Sequence, residues 1–227
     1  MFVIGLDRAI CAFVNRAAQH FGWLDQAIVV MSDSDLVKGG VVLALFWAIW
    51  FRVPARRDRL LAALAGSLVA LFIARLLAYV LPNRVRPLLD PSMHFTAPFG
   101  LSDQSNWTDW SSFPSDHAAL FFAIVTGVTL ANRRAGIFGW IYVIVAICFP
   151  RIYVGIHYPS DILAGAVIGV GCVMLIVEWR EFWVTPALRF IERHPAWGYG
   201  LLYLLTFQIA TLFWDVRTFL SYFGFST

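Results

Sequence analysis

Residues 60–81 read LLAALAGSLVALFIARLLAYVL, an apolar run from Leu60 to Leu81 that carries one charge, Arg75. As a helix it would be about 33 Å long, enough to cross the hydrocarbon core of a bilayer. Working outward, five more stretches approach that length: Leu36 to Phe51, Phe113 to Ala131, Ile137 to Phe149, Asp161 to Val177 and Gly198 to Phe213. A chain that is 60% hydrophobic and 14% charged, with mean hydropathy +0.72, has more apolar surface than a soluble domain of 227 residues can bury. The expectation is an all-α integral membrane protein with about six transmembrane helices in a bundle. Tryptophan supports it: Trp23, Trp47, Trp50, Trp140, Trp179, Trp183, Trp197 and Trp214 fall at or near the ends of apolar runs, where amphipathic rings prefer the interface. Trp107 and Trp110 sit instead in a polar loop.

Arginines sort the connections by side. Arg52, Arg56, Arg57 and Arg59 follow the first stretch, Arg133 and Arg134 the third, and Arg180, Arg189 and Arg193 the fifth. These are alternate loops, so one orientation places all three in the cytoplasm. The other connections, Pro82 to Ser112 and Pro150 to Ser160, then face outward, which is the periplasm for the inner membrane of a Gram-negative bacterium. Segment 1–35 is read as an N-terminal unit of one or two short helices, either lying in the interface or packed on neighbouring spans. Ile4, Leu6, Ile10, Phe13 and Val14 suit such a helix, and Phe21 to Met31 suits a second. Its charges Asp7, Arg8 and Arg16 argue against a signal peptide. Residues 36–220 form the transmembrane unit, with 82–112 as its long extracytoplasmic loop. Ser32, Asp33, Ser34 and Asp35 read as helix caps. A net charge of +3, scattered and without aromatic interleaving, excludes a nucleic-acid surface. Cys11, Cys148 and Cys172 have no metal-ligand spacing and read as small apolar residues.

Three short polar segments border these runs: Arg86-Pro87, Pro114-Ser115-Asp116-His117, and Arg151 followed by His157 and Asp161. Two histidines, a carboxylate, a serine and arginines are what phosphoryl transfer needs when no metal assists it. Pro114 favours a helix start whose unpaired backbone N–H groups, with the Ser115 hydroxyl, would attract phosphate. A carboxylate bonded to one imidazole nitrogen leaves the other as a nucleophile.

The three segments resemble the signature of the type-2 phosphatidic acid phosphatase superfamily, Lys-x6-Arg-Pro, Pro-Ser-Gly-His and Ser-Arg-x5-His-x3-Asp, across roughly residues 36 to 179. Arg86, Ser115, His117, Arg151, His157 and Asp161 fit it position by position. Tyr79 stands where the family has lysine, Asp116 where it has glycine and Pro150 where it has serine. The Pro-Ser-Asp-His form is similar to that of undecaprenyl pyrophosphate phosphatases. The resemblance implies that His157 attacks phosphorus, His117 protonates the leaving oxygen and Asp161 orients His157. Arg86, Arg151 and the Ser115 region would hold the phosphate, with no metal or cofactor. Arg75, an intramembrane cation, is expected to replace the absent lysine, with Arg84 its rival. Asp116, beside an anion site, is expected to point away or to pair with an arginine.

The implied activity is removal of the terminal phosphate of a membrane lipid in the outer leaflet, with a polyprenyl pyrophosphate favoured. Phosphatidic acid, phosphatidylglycerol phosphate and lipid A phosphate remain open as substrates. So do a phosphotransferase using the same phosphohistidine and a lipid-phosphate carrier without turnover. His20, His94 and His194 read as interfacial anchors, and Asp90, Asp103 and Asp109 as solvated loop charges rather than metal ligands.

Overall fold

The structure, a computed structural model, describes residues 2–101 and 110–214. Asp103, Trp107, Asp109 and the side chain of Ile4 lie outside the described residues. Ten α-helices are described: α1 Phe2–Asn15, α2 Gly22–Asp33, α3 Val41–Arg52, α4 Arg57–Val80, α5 Asp116–Ala131, α6 Arg133–Tyr142, α7 Phe149–Tyr153, α8 Pro159–Glu178, α9 Arg180–Arg193 and α10 Pro195–Ala210. A π-turn, Leu36–Gly40, leads into α3, and a second π segment, Val143–Cys148, joins α6 to α7. All six apolar stretches are helical. Among the described residues, however, only Pro54–Val80, Arg133–Tyr153 and Pro159–Glu178 are long and apolar enough to cross a membrane, with Asp116–Ala131 a shorter apolar helix.

α5 lies at the centre, packed between α4 and α8. Eleven consecutive residues, Ala118 to Val128, are buried, as expected of a helix that is apolar on every face. Small residues let the three backbones approach, the usual means of helix contact where lipid removes the hydrophobic drive. A Cβ on Gly165 would sit 2.4 Å from the Ser115 carbonyl, and one on Gly169 would sit 2.3 Å from that of Ala119. Glycine at these two positions lets the start of α8 lie directly on the start of α5, so the second and third motifs meet. Phe72, Leu76, Ile137, Ile141, Leu163 and Val167 point outward, giving the bundle an apolar exterior.

The arginine-rich connections gather at the end away from the motifs. Arg59 donates to the Leu130 carbonyl at 2.5 Å, and Arg180 pairs with Asp58 at 3.1 Å. The connection after α8, read from sequence as a loop, is the helix α9. It buries Val184 and Ile191 and exposes Phe182 and Trp183, a two-faced pattern too short to register as a span.

At the motif end, α1 packs on α7 and α8, and α2 packs on α7. α1 buries Asp7 and Cys11 and exposes Leu6 and Phe13. Asp25 of α2 is fully buried, accepting from the Tyr153 hydroxyl at 2.5 Å and from the backbone N–H groups of Gln19 and Phe99 at 2.9 and 3.0 Å. The long loop is tied down by the same helices: the Asn15 side chain bonds both the N–H and the carbonyl of Thr96 at 2.8 Å, and Arg8 pairs with Asp90 at 2.9 Å.

Candidate active site

Ser115 caps α5: its hydroxyl oxygen accepts from the Ala118 N–H at 3.4 Å, and its own N–H donates to the Asp161 carbonyl at 3.0 Å. Two of the first-turn N–H groups, those of His117 and Ala118, are engaged by side chains of the same turn. Asp116 folds back and takes the His117 N–H at 2.7 Å, because a short carboxylate at a helix start finds those donors first. The same Asp116 oxygen lies 2.7 Å from His117 Nδ1, while its second oxygen is 3.6 Å from Arg75 Nη2. Arg75 therefore faces Asp116 and neutralises it. That pairing explains how an acidic residue is tolerated in this motif.

The third motif is shaped by a chain reversal. α7 ends at Gly155, whose φ of +76° lies in the left-handed region that glycine enters without penalty. The turn brings the N–H groups of Ile156 and His157 to the Arg151 carbonyl, at 2.9 and 3.3 Å. The first motif closes over it: Leu88 N–H bonds the Gly155 carbonyl at 3.0 Å, and Arg86 Nη1 donates to the Ile156 carbonyl at 3.2 Å. Segments 65 residues apart in the chain thus meet around one imidazole.

That imidazole is buried. His157 Nδ1 lies 2.8 Å from the Ser112 carbonyl, which can only accept, so Nδ1 carries the proton and Nε2 presents its lone pair. Burial, then the charges of Arg86 and Arg151, hold the His157 pKa well below its ordinary value, leaving it neutral. Asp161 was expected to fill the Nδ1 position, and this is corrected: its nearer oxygen is 3.9 Å away. Asp161 instead accepts the Tyr158 N–H at 2.8 Å and pairs with Arg84. At the third position of α8 a carboxylate reaches its own helix start more readily than a side chain four residues back.

Arg84, the rival candidate, has two carboxylate partners. It lies between Asp161 and Asp7, with Nη2 2.6 Å from Asp7, Nη1 2.8 Å from Ser160 Oγ and its guanidinium 4.1 Å above the Tyr158 ring. Burial opposes its charge, but the two carboxylates prevail and raise its pKa. Asp7, which the sequence reading did not assign to the site, also accepts from Ser160 N at 3.0 Å and from Ser160 Oγ at 2.5 Å. The one signal for it was the single acidic residue on α1.

Arg151 is the opposite case. It is 7% exposed, and among the described residues its guanidinium has no hydrogen bond or ion pair; its Nε, like that of Arg86, is buried without a partner. Two such cations beside a neutral imidazole form a site for an anion that the imidazole can attack. Among the described residues no three His, Cys, Asp or Glu side chains are grouped to hold a metal ion. The other three histidines stand apart from this cluster: His20 meets the Ala18 carbonyl at 3.2 Å, His94 ends a short loop turn and His194 closes α9.

Residues 83–184 match the family model described as the PAP2 superfamily. The chain is 32% identical over 171 residues to decaprenylphosphoryl-5-phosphoribose phosphatase of Mycobacterium tuberculosis, covering 74% of this chain and 81% of that protein. It is 26% identical over 182 residues to undecaprenyl-diphosphatase BcrC of Bacillus subtilis, covering 79% and 86%. The fold resembles the crystal structure of Aquifex aeolicus LpxE, with a TM-score of 0.54 at 23% identity over 78% of this chain and 96% of that one.

Proposed function

The chain belongs to the PAP2 superfamily and is a lipid phosphatase, and from that premise we propose that it removes the terminal phosphate of a polyprenyl diphosphate through a phosphohistidine on His157. His157 Nε2 attacks phosphorus, and the bond to the leaving lipid-phosphate oxygen breaks as His117 donates a proton to that oxygen. Water, deprotonated by His117, then attacks the phosphohistidine and releases inorganic phosphate. Asp116 holds the His117 ring through Nδ1, leaving Nε2 for the transferred proton, and Arg75 offsets the charge that Asp116 brings. Arg86 and Arg151 bind the non-bridging oxygens, with the Ser115 hydroxyl beside them. Asp161 acts at one remove, bonded to Arg84 and to the start of α8, which carries His157 on its approach.

The observation that carries this reading is the buried, unpartnered Arg151 next to a neutral His157. The polyprenyl substrate is supported by the Bacillus relative and by Asp116 in the second motif. The Mycobacterium relative supports a second reading, in which the substrate is a phosphate monoester on a polyprenyl-linked sugar. Six spans are supported by the six apolar helical stretches, and an extracytoplasmic site in a bacterial inner membrane by the arginines clustered at the opposite end. Segment 1–35 would lie at the outer interface, with Leu6, Phe13, Phe21 and Trp23 facing lipid.

The test is phosphate release by purified protein in detergent with chelator, from polyprenyl diphosphate, polyprenyl-phosphosugar phosphate, phosphatidic acid, phosphatidylglycerol phosphate and lipid A phosphate, in wild type and His157→Ala. Release without an added acceptor separates a hydrolase from a transferase. A labelled phosphoenzyme that persists in His157→Ala refutes the nucleophile.

A further inference from the structure

The only lysine in the chain, Lys38, belongs to no motif. It lies in the π-turn Leu36–Gly40 at the motif end of the first apolar helix and is 8% exposed. Its ammonium pairs at 3.1 Å with Asp35, a carboxylate about half in solvent. The turn packs against the second π segment, Val143–Cys148, which runs directly into Arg151. The Tyr142 hydroxyl fixes the turn by donating to the Val37 carbonyl at 2.6 Å. Single π-turns displace one residue from helical register and recur at functional sites.

Lys38 and Arg151 are both buried cations, and the turn that holds Lys38 packs on the segment that leads into Arg151. Gathering like charges in a medium of low dielectric is unfavourable unless an anion joins them. The carboxylates nearby do not fill that need at Arg151. Asp116 is engaged by His117 and Arg75, and Asp7 and Asp161 are engaged by Arg84. Asp35 reaches Lys38 from the solvent side, Asp33 beside it is exposed, and neither has a bond to Arg151.

We infer that Lys38 is a third phosphate-binding cation, reaching from the first apolar helix to an oxygen of the group held by Arg151. The inference rests on the phosphatase reading and adds to it a ligand from outside all three motifs. Three donors on a flexible stem can follow an oxygen as the phosphorus inverts, which a rigid guanidinium fork cannot. Asp35 is its resting partner, exchanged for substrate.

The experiment measures polyprenyl diphosphate hydrolysis and competitive inhibition by orthovanadate, a phosphate-shaped anion, in wild type, Lys38→Met, Lys38→Arg, Asp35→Asn and His157→Ala. Loss of a charged hydrogen bond predicts a fall of about tenfold or more in kcat/KM for Lys38→Met, with vanadate affinity weakened in step, and partial recovery in Lys38→Arg. Asp35→Asn, which releases the ammonium, should tighten vanadate binding. A folded Lys38→Met with unchanged vanadate affinity overturns the inference. If Lys38→Met does not fold, Lys38→Arg and Asp35→Asn decide: altered vanadate affinity supports the contact, and a lowered Tm with unaltered vanadate affinity refutes it. Turnover that survives His157→Ala counts against the phosphatase mechanism itself, a failure distinct from that of Lys38.

Discussion

Arg84 and Arg151 lie at the two ends of the same short segment, 157–161, yet their surroundings are opposite. Arg84 is held between two buried carboxylates and a serine hydroxyl, with its face on an aromatic ring. Arg151, more deeply buried, has no side-chain partner among the described residues. A buried cation with its counter-charges supplied by the fold holds helices together. One without them costs folding free energy and is retained for what it binds. Identical side chains that border one short segment are thus divided between stability and catalysis, and the division is set by where Asp7 and Asp161 point.

The sharpest way to break this contrast is Arg151→Met. Loss of one donor to the developing charge predicts a fall in kcat/KM of about 10²–10³-fold, some 3–4 kcal/mol, with a thermal midpoint unchanged or raised. A lowered midpoint with activity retained would reverse the assignment. The residual activity carries a second signature. Burial, with Arg86 and Arg151, depresses the His157 pKa, so in wild type protonation of His157 does not limit the rate as pH falls through its ordinary value near 6.5. Deleting one of the two charges lets that pKa rise, and the acid limb of kcat/KM in Arg151→Met should move to higher pH. A limb that stays in place would separate Arg151 from His157.

Arg84→Met should do the converse. It strands Asp7 and Asp161 in a buried position, at a cost of about 3 kcal/mol, and lowers the midpoint by roughly 6–12 °C. Vanadate affinity, measured below the transition, should stay within about threefold of wild type. A large loss of vanadate affinity would make Arg84 a phosphate ligand after all. Asp7→Asn is milder, since the amide can still accept from Ser160 while the ion pair is lost. A drop of about 1–2 kcal/mol in stability is expected, and Asp7→Glu should recover part of it.

The division between the two arginines was not legible in the sequence, although the motifs that hold them were. Arg86, Ser115, His117, Arg151 and His157 stand out because phosphoryl transfer requires those side chains at the borders of apolar runs, and the structure brings their segments together. Asp7 lies 77 residues from Arg84 and Ser112 lies 45 from His157, and no local pattern announces pairings across such distances. Asp161 misled for a different reason: its spacing from His157 suits an i, i+4 contact, but the start of its own helix competes for the carboxylate and wins. The helical stretches were readable from hydropathy. Their number as spans was not, because the π-turns and the proline and arginine boundaries trim apolar runs to helices of unequal length.

The smallest effect is expected at Tyr79, the position where the family signature has lysine. Its side chain is 86% exposed on the outside of α4, whereas Arg75, one turn earlier on that helix, turns inward to Asp116. The alignment of motifs therefore marks an exposed position in the last turn of α4. Tyr79→Lys should not act as a gain of function. Its ammonium would extend toward the headgroup region, and kcat/KM and vanadate affinity should both remain within about twofold of wild type, the range of an exposed substitution. A clear rise in vanadate affinity in Tyr79→Lys would mean that a cation can reach the phosphate from this face of α4. The site would then be wider than the buried pocket around Arg151, and the contrast between a saturated and an unsaturated arginine would no longer suffice to locate the substrate.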